Sequence, residues 1–76
     1  MNNKQFNLMK QKSSAKEYYE LILYYQGSVV YKRKTSNYTS YKGEFERLQK
    51  MTKENSSYEL VANLYDFENN FEKRMY

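Results

Sequence analysis

Two runs rich in branched and aromatic residues, from Tyr18 to Tyr25 and from Ser28 to Lys34, flank Gln26-Gly27. The branched and aromatic types at these positions suit a pleated, half-buried surface, so the pattern predicts a β-hairpin. With Gln26-Gly27 as a two-residue loop, Tyr25 faces Ser28, Tyr24 faces Val29, Leu23 faces Val30, Ile22 faces Tyr31, Leu21 faces Lys32 and Glu20 faces Arg33. That register sets opposite charges against each other. A three-residue loop would set Ile22 against Lys32 and Leu21 against Arg33 and lose the Glu20–Arg33 match, so the tighter turn is preferred. Alternation then puts Tyr19, Leu21, Leu23, Tyr25 and Val30 on one face, with Lys32 and Lys34 toward its end. Tyr18, Glu20, Ile22, Tyr24, Val29, Tyr31 and Arg33 fall on the other. The leucines and Val30 mark the first face as core, which leaves the second exposed or turned toward a partner.

Beyond the polar stretch from Thr35 to Thr39 the period changes. Tyr41, Phe45, Leu48 and Met51 (or Thr52) recur at spacings of three and four through Lys53, the signature of an amphipathic helix with Thr39 or Ser40 as its cap. Its polar side carries Lys42, Glu46, Gln49, Lys50 and Lys53. It should end near Asn55-Ser56-Ser57, whose side chains compete with the backbone for hydrogen bonds. Tyr58 to Tyr65 returns to strand character, with Tyr58, Leu60, Ala62 and Leu64 toward the core and Glu59, Val61, Asn63 and Tyr65 opposite. Asp66 is then expected to cap a short terminal helix from Phe67 to Met75, with Phe67, Phe71 and Met75 on one stripe and Lys73-Arg74 suited to its C-terminal dipole. A helix that short does not persist alone and must dock on its own domain or on a second chain. Phe6, Leu8 and Met9 fit an edge strand, an initial helical turn or a basic arm that orders on contact. The predicted architecture is α+β: one small domain over residues 1–76, an antiparallel sheet of three to four strands, in the order hairpin, helix, strand, short terminal helix.

Size agrees with a single domain. A chain of 76 residues buries only about 60% of its unfolded surface and cannot support two cores. A mean hydropathy of -1.12 is polar for a folded protein, yet ten Tyr and four Phe supply too many large side chains for plain disorder. Thirteen Lys and Arg against nine Asp and Glu give +4, unevenly spread. Residues 1–34 hold seven bases and two acids, and residues 35–76 hold six bases and seven acids. A basic front half suits a polyanion or an acidic protein surface. The longest apolar run, Leu21 to Tyr25, is far below the roughly 18 residues that read as a membrane span. No targeting segment is visible, so the expected setting is cytoplasmic, away from membranes, and the initiating Met suggests a complete small gene product.

The absence of His, Cys and Pro removes an imidazole base, a thiolate nucleophile, an N/S zinc site and disulfides. Serine or threonine nucleophiles would need a Lys or carboxylate base in a desolvated pocket, which so small a domain rarely builds. The acids sit singly on strands or on polar helix faces (Glu44, Glu46, Glu68, Glu72), and the two glycines, Gly27 and Gly43, are too far apart to cradle phosphate. Neither an enzyme nor a bound cofactor or metal is expected. The one constellation above background is tyrosine interleaved with base: Tyr18, Tyr24 and Tyr31 with Arg33, and Lys32 and Lys34 adjacent. Rings that stack bases contribute about 1–3 kcal/mol per base, and flanking cations add a salt-dependent phosphate contribution. The competing explanation is strand propensity, which alone favours Tyr in such runs.

The strand-strand-helix-strand order with a basic hairpin resembles small sheet-based DNA-binding domains of the integrase-arm type. The Lys-, Asn- and Tyr-rich style without Pro or His looks like the short accessory proteins of phages and mobile elements in low-GC bacteria, anti-CRISPR proteins among them. Some of those proteins inhibit a host nucleic-acid machine by covering its substrate site. The expected function is a non-enzymatic module that engages nucleic acid through the Tyr/Lys/Arg hairpin. The alternatives are an inhibitor or adaptor that binds a nucleic-acid-processing protein, or a homodimer held through Phe67, Phe71 and Met75.

Overall fold

The structure, a computed structural model, describes residues 17–76. The expectations for Phe6, Leu8 and Met9 lie outside the described residues.

Strands β1 (Glu17–Tyr25) and β2 (Ser28–Thr35) form the hairpin, helix α1 (Tyr38–Glu54) follows, and strands β3 (Tyr58–Asp66) and β4 (Phe71–Arg74) close the chain. All pairings are antiparallel and the sheet runs β2-β1-β3-β4. The fold is therefore α+β, with one helix against one face of a four-stranded sheet among the described residues. Leu21 and Leu23 of β1, Leu60 and Ala62 of β3, and Tyr41 and Leu48 of α1 form the core, with Leu21 only 2% exposed. Leu21 lies directly opposite Ala62, and Leu23 opposite Leu60, so the two central strands share one apolar face, as the alternation predicts.

The helix begins earlier than expected. Asn37, not Thr39 or Ser40, is the cap: its side-chain oxygen accepts a hydrogen bond from the Ser40 N–H at 2.9 Å. At the other end the Asn55 N–H donates to the Met51 carbonyl and its side chain accepts from the Ser57 N–H, which turns the chain into β3.

The hairpin register departs from expectation in an instructive way. The turn is the tight two-residue form, with Gln26 (φ 50) and Gly27 (φ 85) both left-handed, and Tyr25 faces Ser28 and Tyr24 faces Val29. Then Val30 is left over as a bulge, and Leu23 pairs with Tyr31, Ile22 with Lys32, Leu21 with Arg33 and Glu20 with Lys34. One extra residue exchanges the faces of everything after it. Tyr31 and Arg33 therefore lie on the helix side, while Lys32 and Lys34 lie on the opposite side, the reverse of the sequence-based assignment. The physical reason is in α1: Glu44, 7% exposed, accepts from the Tyr31 hydroxyl at 2.7 Å and from the Arg33 guanidinium at 3.1 Å.

The terminal helix is also corrected. Residues 71–74 form β4, and Asp66 organises a turn in place of a helix cap. Its Oδ1 accepts from the Glu68 and Asn70 N–H groups at 2.9 and 2.8 Å, and Asn69 takes the left-handed conformation (φ 69). Strand pairing here satisfies the free edge of β3. Beyond β4, the Met75 N–H donates to the Ala62 carbonyl at 2.7 Å and the Ala62 N–H to the Tyr76 carbonyl. Phe67, Phe71 and Met75 consequently form no stripe: Met75 packs on the core, while Phe67 and Phe71 are exposed. No helix among the described residues is long and apolar enough to cross a membrane.

Candidate functional site

The helix covers one face of the sheet; among the described residues no helix or strand covers the other. Register and alternation assemble this open face in rows across the strands. Nearest the hairpin turn are Val29, Tyr24 and Glu59. Next come Lys32, Ile22 and Val61, then Lys34, Glu20, Asn63 and Arg74, and last Tyr18, Tyr65 and Phe71. Four of the six residues singled out from sequence, Tyr18, Tyr24, Lys32 and Lys34, are brought to this face. Tyr31 and Arg33 are not.

The rows are tied together at their centre. Glu20, 5% exposed, accepts hydrogen bonds from Asn63 (3.1 Å) and the Tyr65 hydroxyl (2.9 Å), and Lys32 lies 3.8 Å away. Burial alone would push the Glu20 carboxyl up, but the Asn63 and Tyr65 hydrogen bonds and the charges of Lys32 and Lys34 outweigh it and hold the group below the usual range. Bonding to Glu20, together with burial, pushes the Tyr65 phenol up. Glu20 therefore stays ionised and takes up part of the lysines' charge. The Lys34 ammonium sits 3.5 Å from the Tyr65 ring centre and donates to Asn69 at 2.6 Å, and Phe71 meets Tyr65 edge-on with centroids 5.8 Å apart. At the centre of the face one acid thus holds the Tyr65 hydroxyl and lies beside the Lys32 ammonium, while Lys34 is held against the Tyr65 ring.

The helix side uses its rings differently. Tyr19 stacks on Tyr41 at 4.9 Å, Tyr38 and Phe45 extend that cluster, Tyr76 meets Phe45 edge-on, and Tyr25 pairs with Tyr58. Tyr19 and Tyr41 thus pack between helix and sheet, while Tyr38 and Tyr76 stay exposed at the rim. Glu44 is the helix-side counterpart of Glu20: burial pushes its carboxyl up, the bonds from Tyr31 and Arg33 and the charges of Arg33 and Arg47 pull it down further, and the net result is below the usual range.

Sequence reasoning did not single out Tyr65, Phe71 or Arg74 as residues of the binding face. The parity of β3 already set Tyr65 opposite the core, whereas Phe71 and Arg74 were hidden by the predicted helix. Among the described residues the surface holds no pocket and no group of three or more acids arranged to hold a metal ion. No protein-family model, no curated protein and no solved structure matches this chain.

Proposed function

We propose that this chain is a non-enzymatic binding module whose open sheet face engages single-stranded nucleic acid. The observation that carries the reading is the interleaving of Tyr18, Tyr24, Tyr65 and Phe71 with Lys32, Lys34 and Arg74 on the face that the helix leaves free. Bases stack on such rings irrespective of sequence, and cations at strand spacing meet the phosphates. Residues 17–76 hold nine bases and nine acids, so the excess of +4 resides in Lys4, Lys10, Lys12 and Lys16. Those four lysines precede β1 and supply the long-range attraction that the sheet itself, balanced in charge, lacks.

Titration of a labelled single-stranded oligonucleotide at several salt concentrations tests the reading. The logarithm of affinity is expected to fall linearly with that of salt, with Tyr24→Ala weakening binding at every salt concentration and Lys32→Gln reducing the slope. Absence of binding at about 50 mM salt, or affinity indifferent to salt, would remove the proposal.

A second reading is favoured by Ile22 and Val61, which lie side by side in the middle of the face, and by Val29 and Val30, each 55% exposed. Apolar area between rings is typical of a protein interface. On this reading the module is a phage or mobile-element accessory protein of anti-CRISPR type, covering a host nucleic-acid-processing enzyme. A host protein that copurifies with the chain after nuclease treatment, and binds it in purified form without any oligonucleotide affinity of the chain itself, would favour this second reading over the first.

A further inference from the structure

Where β2 meets the helix, two guanidinium groups converge on a single oxygen. Arg33 (β2) and Arg47 (α1) reach Glu44 Oε2 at 3.1 and 3.3 Å, and the Tyr31 hydroxyl donates to the same atom at 2.7 Å. Glu44 Oε1 is buried and has no hydrogen-bond partner among the described residues. A paired arginine ordinarily presents a fork to both oxygens of a carboxylate, and here neither does. Each arginine commits only part of its five N–H groups to Glu44, and both stay open to solvent, with side chains 45% and 70% exposed. One carboxylate against two guanidiniums leaves a net positive charge. The two cations, which would otherwise repel, are held within two hydrogen-bond lengths of each other by the buried acid.

We infer that Arg33 and Arg47, positioned by Glu44, form a phosphate clamp on the helix side of the β2 edge. Its ligand is a phosphate group with two free oxygens, either a phosphodiester in a strand or a free phosphate ion. Planar guanidiniums match that geometry, and holding them in advance lowers the ordering cost of binding. The clamp also gives β2 a use for both of its sides. Lys32 and Lys34 project from the open face while Arg33, between them in sequence, projects toward α1, so a backbone crossing this edge strand meets cations in succession. The strand-bound form of the inference rests on the function proposed above; affinity of the clamp for phosphate itself does not.

Two arms test it, both on the full chain. In the first, oligonucleotide affinity is measured against salt for the wild type, for Arg47→Gln and for Lys50→Gln, which removes the same charge from the exposed side of the same helix. Arg47→Gln is expected to flatten the logarithmic salt slope by about 0.7, one single-strand phosphate contact, with Arg47→Lys recovering only part of the affinity and Lys50→Gln leaving both quantities unchanged. If Lys32→Gln and Tyr24→Ala weaken binding while Arg47→Gln matches Lys50→Gln, the strand-bound form of the clamp is overturned and the open-face reading stands. In the second arm, the arginine side-chain N–H resonances are followed as inorganic phosphate is added, with chloride as the ionic-strength control. Shifts at Arg33 and Arg47 without any oligonucleotide binding would assign the clamp to free phosphate and leave the open-face reading without support. An Arg47→Gln salt slope equal to that of Lys50→Gln, together with no shift at Arg33 or Arg47 on adding phosphate, would overturn the clamp altogether.

Discussion

Glu20 and Glu44 occupy equivalent stations on opposite sides of the sheet. Each is buried, accepts from a tyrosine hydroxyl and has two cations nearby. Their carboxyls lie below the ordinary value, so the folded state holds their protons less tightly than the unfolded chain does. The stabilisation is therefore complete above the unfolded carboxylate range, about 4.3, and is lost as pH falls through the lowered folded values. The phenols of Tyr31 and Tyr65 are raised, so their contribution is complete below about 10 and is lost as pH climbs past that point. Urea unfolding across pH should show a plateau with both limbs. Tyr65→Phe deletes one donor to Glu20 and should cost about 1 kcal/mol near neutrality while moving the acid limb to higher pH; an unchanged acid limb would mean Glu20 does not depend on that hydroxyl. Glu44 shows what sequence conceals at this scale. An isolated acid reads as part of a polar helix face, yet Glu44 lies three residues after Tyr41 and four before Leu48, on the buried stripe. The spacing carried the signal and residue type masked it, because burial of an acid depends on partners, Tyr31 and Arg33, supplied by a distant strand.

At the scale of elements, the helix and β3 were readable because their apolar spacing has one dominant interpretation. The hairpin had two. Its turn follows the two-residue loop, its far half follows the register expected of three, and the bulge at Val30 reconciles them. Periodicity cannot foresee a bulge, since the extra residue is chosen by what the helix offers to Tyr31 and Arg33. The last segment failed for the converse reason. Phe67, Phe71 and Met75 are spaced like a helix, but Asp66, Asn69 and Asn70 build a turn, and the open edge of β3 rewards pairing. Two substitutions test these local assignments by urea unfolding. Asn37→Ala should cost about 1 kcal/mol and Ser40→Ala far less, the reverse of what a cap at Ser40 would give. Gln26→Asn should stabilise the chain by about 0.5 kcal/mol, because Asn tolerates the left-handed conformation better; destabilisation would contradict the turn.

For the molecule as a whole, the α+β class was legible from the switch between strand and helix periods, and a second sheet face free of the helix from strand parity. Which residues populate that face was legible only in part, because one bulge moved Tyr31 and Arg33 away and one mistaken helix hid Phe71 and Arg74. The charge distribution sharpens the account: a described region of balanced charge follows a segment carrying four lysines. Replacing Lys4, Lys10, Lys12 and Lys16 by Gln should weaken oligonucleotide binding at low salt and flatten its salt dependence, whereas an unaltered slope would confine phosphate contact to the sheet and helix. Mapping resonance shifts across the full chain while a single-stranded oligonucleotide is added locates the binding surface residue by residue. Binding by the open face should concentrate the shifts at Tyr18, Tyr24, Lys32, Lys34 and Tyr65, with Lys42, Glu46 and Lys53 on the outer side of the helix unmoved. Shifts confined to that outer side, with the tyrosines and lysines of the open face silent, would contradict it.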